Sequence, residues 1–374
     1  MTLAPPPLTT LDPTVVAAAA ATLGTRALTF RVGEHSVTYE SDGAAITTRE
    51  DGPDGDTVVT LDRAAWDDFV AQLRTFVNLF LTDGLTITEG TFDRVADWDP
   101  ALKYLHAGIP PYDPARADLR GRDPRAVLSF DESDDELRAQ LTTMGYLHVR
   151  GVFSAEEMDR ANAEVDRLAA LARKGDDQSW WAVDAAGDDV LCRLVYASLR
   201  SELLSALERD PRVARLGMLL DPDLRLYPDR MEGASVLLKV GGETQGLSNI
   251  PWHQDCGMGG HAVYCPAALV GIWLTGSSAE SGNLKVVPGS HGQSLHYGWA
   301  NRADVPVVDI DTEPGDVTVH IADVMHASPK PKGAGGRRTM YVDFYPPKLA
   351  ERVGPGQAFN DIVRNRTQEV GALA

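Results

Sequence analysis

Apolar and polar residues alternate differently in two regions of the chain. In residues 1–110, alternation with a period of two predicts short strands at 28–32, 36–39, 57–61 and 85–88. Between the last two strands, apolar residues recur three and four positions apart, which predicts a single helix capped by Asp62. The buried face of this helix consists of Trp66, Phe69, Val70, Leu73, Val77 and Phe80. The region therefore predicts a small α+β domain.

The rest of the chain predicts a different architecture. Residues 111–127 are rich in proline, aspartate and arginine and lack apolar periodicity, which predicts a linker. Residues 128–374 then carry short strands separated by Gly and Pro turns, among them 146–150, 235–240, 270–275, 284–287 and 317–321. This pattern predicts a mostly β domain with flanking helices, built on a double-stranded β-helix, or jelly roll, of cupin type.

Two helices are predicted beside these strands. Ser154 and Glu157 have the spacing of a capping box, and the helix that follows buries Met158, Ala161, Val165 and Leu168. A second helix is predicted to open at Cys192 and to end near Arg209. Trp180 and Trp181 lie in a polar segment, where they either pack in the interior or line the mouth of a substrate site.

Composition and charge limit the classes of partner that the protein is expected to bind. The net charge of −19 argues against nucleic acid, which requires a basic face. The absence of a long apolar run or a signal-like N-terminus predicts no membrane insertion and a cytoplasmic location. The sparse cysteines, Cys192, Cys256 and Cys265, indicate neither a disulfide framework nor structural zinc. A small-molecule substrate is therefore expected, and a homodimer is left open.

The candidate chemistry lies in the segment Trp252-His253-Gln254-Asp255 and in His326. Two histidines and one carboxylate are the set that binds one face of a non-haem Fe(II) ion and leaves the other face open. On a strand, His253 and Asp255 would project to the same side. His326 is distant in sequence, so the fold must bring it to the pair. Asp323 is a second candidate carboxylate, and the His-x-Asp spacing favours Asp255.

The motifs around these residues follow one another in a recognisable order. The motifs are GYLHVRGVFSAEEM, PWHQD, WLTGSSAESGNLKVVPGSH, PGDVTVH and MHASPKPKGAGGRRTMYVDFY, within about residues 128–347. In content and order they resemble the phytanoyl-CoA dioxygenase family of Fe(II)/2-oxoglutarate-dependent oxygenases. The resemblance implies an oxygenase jelly roll with Fe(II) as cofactor and with 2-oxoglutarate and O2 as co-substrates. The chain departs from the family pattern at Ala327-Ser-Pro-Lys-Pro-Lys, so the resemblance does not predict the shape of that loop.

Carried over residue by residue, the resemblance implies that His253, Asp255 and His326 are the catalytic metal ligands. It implies Arg337 as the arginine that binds 2-oxoglutarate, and a guanidinium suits the distal carboxylate because it pairs with both oxygens. Arg338 would point to the opposite face of a strand. Trp273 and Ser328 match positions near the co-substrate, and Arg193 matches a basic position there.

The implied reaction is hydroxylation of an unactivated C–H bond, with release of succinate and CO2. Because Asp255 is present, halogenation is disfavoured, whereas desaturation or ring formation would use the same site. Two other classes stay open: a cupin-type metal enzyme that does not use 2-oxoglutarate, and a ligand-binding protein with a degenerate barrel. The substrate is not specified; lipophilic, acyl-linked, carrier-linked and secondary-metabolite compounds all fit.

The remaining motifs have two interpretations each. VTLDRAAWDDFV, DGLTITEG and ADWDPAL resemble a sterol-carrier-protein-type domain, which implies an apolar pocket or an interface. The alternative is a small domain whose aromatic residues only fill a core. His148 and His291 are interpreted as structural or near the barrel, and His261, His296 and His320 as packing or surface residues.

Overall fold

A computed structural model describes residues 3, 11–115, 117–226, 233–245, 249–255, 265, 267–295, 303–333 and 335–347. Cys256, His261 and His296 lie outside these ranges. The chain divides into two units. Unit 1 comprises Met1–Ala117, Asp255–Tyr264 and Gly292–Asp304, and unit 2 comprises Asp118–Gln254, Cys265–His291 and Val305–Ala374. The first boundary falls inside the predicted linker, and the domain limits expected from the sequence stay a prediction.

Unit 1 has an α+β architecture. Its helices are Pro13–Leu23 (α1), Arg63–Val70 (α2), Phe76–Leu81 (α3), Phe92–Ala96 (α4) and Asp99–Ala107 (α5). Its strands are Thr25–Val32 (β1), His35–Asp42 (β2), Ile46–Glu50 (β3), Thr57–Leu61 (β4) and Leu85–Glu89 (β5). They form one sheet in the order β3-β2-β1-β4-β5, in which only β1 and β4 run parallel.

The single helix predicted after Asp62 is wrong, because the chain forms two. Gln72 has a left-handed backbone (φ 56°), and its side-chain amide donates to the Phe69 carbonyl, which ends α2. Thr75 then caps α3 by accepting from the Asn78 N–H. The apolar spacing continues across this break, so periodicity alone does not reveal it.

The interior of unit 1 is filled by aromatic rings. The ring of Phe30 lies 5.2 Å from that of Trp66 and 5.4 Å from that of Phe69, measured between centroids. All three side chains are buried. Ring-on-ring packing of this kind favours the interpretation as a plain core over an apolar pocket.

Unit 2 carries the other elements. Its helices are Asp134–Met144 (α6), Ala155–Leu171 (α7), Glu202–Glu208 (α8) and Pro211–Gly217 (α9). Its first strands are Leu128–Ser129 (β6), Tyr146–Arg150 (β7), Ser179–Asp184 (β8), Asp189–Leu194 (β9), Arg225–Leu226 (β10), Ser235–Lys239 (β11), Glu243–Gln245 (β12) and Ile250–His253 (β13). The later strands are Ala268–Trp273 (β14), Leu284–Val286 (β15), Val308–Ile310 (β16), Val317–Ile321 (β17), His326–Ser328 (β18) and Arg337–Tyr345 (β19).

Two sheets build this unit. The larger has the order β12-β8-β9-β11-β19-β14-β17-β7-β6, with β10 also paired to β19, and the smaller has the order β13-β18-β15-β16. Tyr146 and Trp273 of the larger sheet pack against Leu284, Val286 and Ile310 of the smaller one. Two sheets facing each other across a core, with helices alongside, form the predicted jelly roll.

The two faces of the larger sheet differ in chemistry. One face is apolar and forms the main core with α6 to α9; it includes Leu147, Val270, Val319, Met340 and Val342. The alternate residues of the same strands point the other way, toward the smaller sheet, and many are polar: Thr318, His320, Arg337, Thr339 and Tyr341. The polar face therefore lines the barrel interior.

The helix predicted from Cys192 is wrong. Residues 189–194 form β9, which lies between β8 and β11, with Arg193 opposite Trp180 on one side and Leu237 on the other. Tyr196 then takes a left-handed backbone (φ 57°), and the helical segments before Arg209 are a 3-10 turn at Ala197–Leu199 and α8. Pairing with β8 and β11 on the two sides of the strand overrides the local helical pattern.

The predicted capping box is present at the start of α7, where Ser154 and Glu157 satisfy each other's backbone N–H groups. Within the described ranges, no helix combines the length and apolar character needed to cross a bilayer.

Candidate metal and co-substrate site

The candidate metal ligands come together at the end of the smaller sheet. His253 is the last residue of β13, and its register partner is His326, the first residue of β18. One side-chain ligand atom from each of His253, Asp255 and His326 lies within 4.8 Å of the others. Asp255 lies beyond the end of β13, so the prediction that it shares a strand face with His253 is wrong. The turn of the chain after the strand brings its carboxylate to the histidines instead.

Both histidines are oriented by the same local device. His253 Nδ1 lies 2.7 Å from the Pro251 carbonyl oxygen, and His326 Nδ1 lies 2.9 Å from the Val324 carbonyl oxygen. A carbonyl oxygen only accepts, so each Nδ1 must carry the proton and donate it. In the neutral ring Nε2 is then the unprotonated nitrogen, and this is the tautomer that binds a metal ion through Nε2.

A third histidine packs against this pair. The ring centroid of His320 lies 4.4 Å from that of His326, which itself lies 4.2 Å from that of His253. His320 is buried on the inner face of β17, so the surface interpretation is wrong and the packing interpretation fits. Its closeness to a candidate ligand was missed by sequence reasoning. The only signal was its alternation with Thr318 on a strand that is buried throughout.

Asp323 forms hydrogen bonds within the fold and has a structural role. Its carboxylate accepts from the Cys265 backbone N–H at 2.5 Å, and its backbone carbonyl accepts from the side-chain amide of Gln254. It thereby ties the segment after β17 to the chain on either side of the Asp255 region. Among the described residues, the group with metal-binding geometry contains Asp255 and not Asp323.

Arg337 is a fully buried cation on the inner face of β19. Its Nε donates to the Gly282 carbonyl at 2.8 Å, and its two terminal nitrogens donate to Thr339 Oγ1 and Ser328 Oγ, each at 2.5 Å. None of these partners is charged, and no carboxylate within the described ranges forms an ion pair with it. Burial lowers the pKa of the guanidinium from its ordinary value.

The ring of Trp273 lies beneath this cation. The Arg337 Cζ is 4.6 Å from the ring centroid, and the Trp273 indole N–H donates to Thr318 Oγ1 at 3.0 Å. The indole is thus fixed by its own hydrogen bond while its face stabilises the positive charge. The neighbouring Arg338 points to the helical face, where it pairs with Asp166 of α7 at 2.6 Å.

Ser328 links the two parts of the site. It follows His326 by two residues on β18, so both side chains lie on the same face of the strand, roughly 7 Å apart along it. Ser328 Oγ accepts from Arg337, while His326 belongs to the metal-binding group. One three-residue strand therefore carries a candidate metal ligand and a contact of the buried guanidinium.

Gly282 is a second residue that sequence reasoning missed. It has a left-handed backbone (φ 74°), and a Cβ added to it would lie 2.3 Å from the Pro329 carbonyl oxygen. Its own carbonyl accepts from Arg337 and from Ser328 Oγ. Only glycine allows both this conformation and this close approach. The turn sequence Ser281-Gly282-Asn283 was its only signal.

Arg193 also lies on the inner face, in one row with Leu237 and Thr339 across three adjacent strands. Its guanidinium lies over the ring of Trp180, with Cζ 4.8 Å from the centroid. The structure therefore groups His253, Asp255 and His326 at the end of the smaller sheet. It places Arg337, Ser328, Trp273 and Arg193 on strands of unit 2, with the first three in mutual contact around the guanidinium.

Several solved structures are similar to this chain. The non-haem α-ketoglutarate-dependent epimerase SnoN from nogalamycin biosynthesis is 24% identical, with 56% of this chain and 81% of that chain covered and a TM-score of 0.44. EctD from S. alaskensis with 2-oxoglutarate and 5-hydroxyectoine is 18% identical, with 57% and 77% covered and a TM-score of 0.47. The carbocyclase SnoK from nogalamycin biosynthesis is 20% identical, with 62% and 95% covered and a TM-score of 0.44.

A search of curated proteins gave no match. A family profile described as phytanoyl-CoA dioxygenase (PhyH) matches residues 141–339. The match does not reach residues 1–110, so it gives no support to the resemblance of that region to sterol-carrier proteins. The matched residues make up more than half of the chain, and they include the candidate metal ligands and Arg337. The chain belongs to the phytanoyl-CoA dioxygenase family.

Proposed function

We propose that the protein is an Fe(II)- and 2-oxoglutarate-dependent dioxygenase that hydroxylates an unactivated C–H bond of a small molecule. One observation carries the proposal: β18 holds His326 of the metal-binding group and Ser328, which contacts the buried guanidinium of Arg337. The separation of the two along the strand suits a short dicarboxylate that reaches from a metal ion to a cation.

The residues present fit both ligands. His253 and His326 offer Nε2, and Asp255 offers a carboxylate, which is the donor set for Fe(II) with open positions left on the metal. Arg337 needs an anion, because a guanidinium stays protonated even when buried and its present partners are all neutral. The distal carboxylate of 2-oxoglutarate supplies that anion.

Each side chain has a defined task in the reaction. Fe(II), 2-oxoglutarate and O2 together supply the oxidising power, with succinate and CO2 as by-products. The carbonyls of Pro251 and Val324 hold the imidazoles in the metal-binding tautomer. Trp273 and Thr339 fix the plane of the guanidinium, which in turn orients the co-substrate in a site of low dielectric.

Hydroxylation is the proposed outcome because Asp255 occupies the carboxylate position, which the related halogenases leave free for a halide. Desaturation, ring closure and epimerisation place the same demands on these residues. The product therefore has to be identified by mass spectrometry and NMR, not only by the succinate released.

Formation of succinate from 2-oxoglutarate tests the proposal. Purified protein with Fe(II), ascorbate and a panel of small molecules should release succinate above the level without Fe(II). His253→Ala, Asp255→Ala and His326→Ala should each lose bound metal and at least ~1000-fold of this activity. Arg160→Gln, at an exposed position of α7, serves as the control and should keep both.

The two alternatives predict other results. A cupin-type enzyme independent of 2-oxoglutarate would bind metal through the same residues but would not respond to 2-oxoglutarate, and the buried Arg337 disfavours it. A ligand-binding protein would keep its function in Asp255→Ala. Succinate formation that is unchanged in all three ligand variants would contradict the proposal. The cytoplasmic location and the homodimer left open by the sequence stay predictions.

A further inference from the structure

Arg193 is a further cation in the barrel interior, in addition to Arg337 and to the buried Lys239, whose amine donates to the Ser328 and Pro329 carbonyls. Its neighbours Leu194 and Val236 face the apolar core with the helices, so alternation directs Arg193 to the opposite, inner face. Its charge also acts on Arg337, where it helps to lower the pKa. The two guanidiniums therefore face the same interior.

The charge of Arg193 has no partner in the described part of the chain. No carboxylate there forms an ion pair with it, and its buried Nε has no hydrogen-bond partner. Its guanidinium lies over the ring of Trp180, with Cζ 4.8 Å from the ring centroid. A half-buried cation left in this condition costs free energy unless an anion arrives from outside the chain.

Positive charge exceeds negative charge at this site even before Arg193 is counted. Fe(II), Arg337 and Lys239 would carry four positive charges, whereas Asp255 and doubly charged 2-oxoglutarate would carry three negative charges. Arg193 adds a further positive charge that no carboxylate within the described ranges pairs with. The ring of Trp180 covers one face of the guanidinium. A carboxylate or phosphate pairs instead with the in-plane N–H groups, through two parallel hydrogen bonds.

We infer that Arg193 and Trp180 form a binding site for an oxyanion of the organic substrate, so that the substrate carries a carboxylate or phosphate group. The inference rests on the proposed function and narrows its substrate class. It also reassigns Arg193, which the resemblance had placed with 2-oxoglutarate. Arg337 alone then binds the distal carboxylate of the co-substrate.

Equilibrium binding measurements distinguish the role of Arg193 from that of Arg337. Protein loaded with Mn(II) and saturating 2-oxoglutarate is titrated by calorimetry with benzoate, phenyl phosphate and benzamide. Benzoate or phenyl phosphate should bind at least ~10-fold more tightly than benzamide, as one charge-assisted hydrogen-bond pair allows. The preferred anion identifies the carboxylate or the phosphate as the natural group.

Variants test whether Arg193 causes the preference for the anion over the amide. Arg193→Gln should remove it and leave the affinity for 2-oxoglutarate within ~3-fold, whereas Arg337→Gln should lower that affinity by ~1000-fold. Arg193→Lys should keep part of the preference, since the charge remains but the planar fork is lost. Arg160→Gln should match the wild type, and retained 2-oxoglutarate binding shows that Arg193→Gln is folded.

Three outcomes would overturn the inference: equal affinities of the wild type for anion and amide, a preference that persists in Arg193→Gln, or a loss of 2-oxoglutarate binding in Arg193→Gln as large as in Arg337→Gln. The proposed function fails in a different way. Anion binding that depends on Arg193, without any 2-oxoglutarate turnover, would refute the oxygenase and leave the anion site standing.

Discussion

The two units each bury a basic nitrogen group away from carboxylates, with opposite consequences. In unit 1, His106 lies among Tyr39, Trp66 and Phe69, with its Nε2 2.7 Å from the Tyr39 hydroxyl. In unit 2, Arg337 lies among neutral partners on the face of Trp273. Burial can discharge the histidine, and it lowers the pKa of His106 to about 4. An arginine stays charged, so its burial calls for an anionic ligand.

This contrast separates a structural site from a functional one. The neutral His106 completes the aromatic core and needs nothing further at neutral pH. Arg337 is stable in the fold only through its hydrogen bonds and the indole, and it gains most when an anion binds. A buried group that cannot neutralise itself is therefore the stronger sign of a ligand site.

The largest expected effect comes from removing the charge that cannot be neutralised. Arg337→Gln should weaken 2-oxoglutarate binding by about 4 kcal/mol, roughly 1000-fold, because two charge-assisted hydrogen bonds are lost. Arg338→Gln is the matched control, since Arg338 faces Asp166 on the other side of the strand. Calorimetry on the Mn(II)-loaded protein measures both. Similar losses in the two variants would contradict the assignment of Arg337.

The buried His106 should make the free energy of unfolding depend on pH. Its pKa is about 4 in the fold against 6.5 in the unfolded chain, so the fold favours the neutral ring. The associated stability is complete above pH 6.5 and is lost as the pH falls toward 4, by at most about 3 kcal/mol. Urea unfolding followed by Trp fluorescence across this range measures it.

His106→Gln should flatten this part of the pH dependence, because the amide can still accept from Tyr39 but does not titrate. His35→Gln, at an exposed position of β2, should not. The same slope in wild type and His106→Gln would show that other groups cause the acid sensitivity.

A smaller effect is expected from the glycine that supports Arg337. Gly282→Ala places a methyl group against the Pro329 carbonyl in a left-handed conformation, which shifts the carbonyl that holds Arg337 Nε. Affinity for 2-oxoglutarate should fall by about 10-fold, on the order of 1–2 kcal/mol. Gly333→Ala is the control, because its added Cβ would meet only Glu280 at 3.6 Å. Equal affinities in the two variants would contradict a supporting role for Gly282.

The smallest effect concerns the indole. Trp273→Phe keeps an aromatic face under Arg337 but removes the hydrogen bond to Thr318. We expect a loss of about 1 kcal/mol in 2-oxoglutarate affinity, roughly 5-fold, and a larger loss in Trp273→Leu. If the Phe and Leu variants have the same affinity, the aromatic ring does not contribute to stabilising the charge of Arg337.

Local patterns in the sequence were sufficient for much of the fold. The capping box at Ser154 and the short apolar runs of β7, β11 and β17 between turn residues predicted these elements, because short-range hydrogen bonds and strand burial determine them. The helix expected from Cys192 was wrong because its residues form a hairpin with β8 and pair on their other side with β11. Helical propensity along the chain does not take such strand partners into account.

The candidate site shows the same division. Family motifs and residue types led to His253, Asp255, His326 and Arg337, whose geometry is now described and whose roles stay proposals. His320 and Gly282 could not be found in this way, because their importance lies in what they touch. A histidine on a buried strand and a glycine in a turn are ordinary until the fold places them against His326 and Arg337.

The short strand β18 has one further consequence. Its first residue, His326, serves the metal side of the site, and its last, Ser328, serves the guanidinium side. Whatever orders this strand for one ligand orders it for the other, so the two binding equilibria are coupled. Thermodynamic reciprocity then requires that the metal tighten 2-oxoglutarate by the same factor as 2-oxoglutarate tightens the metal. A protein built in this way retains its metal best when the co-substrate is abundant.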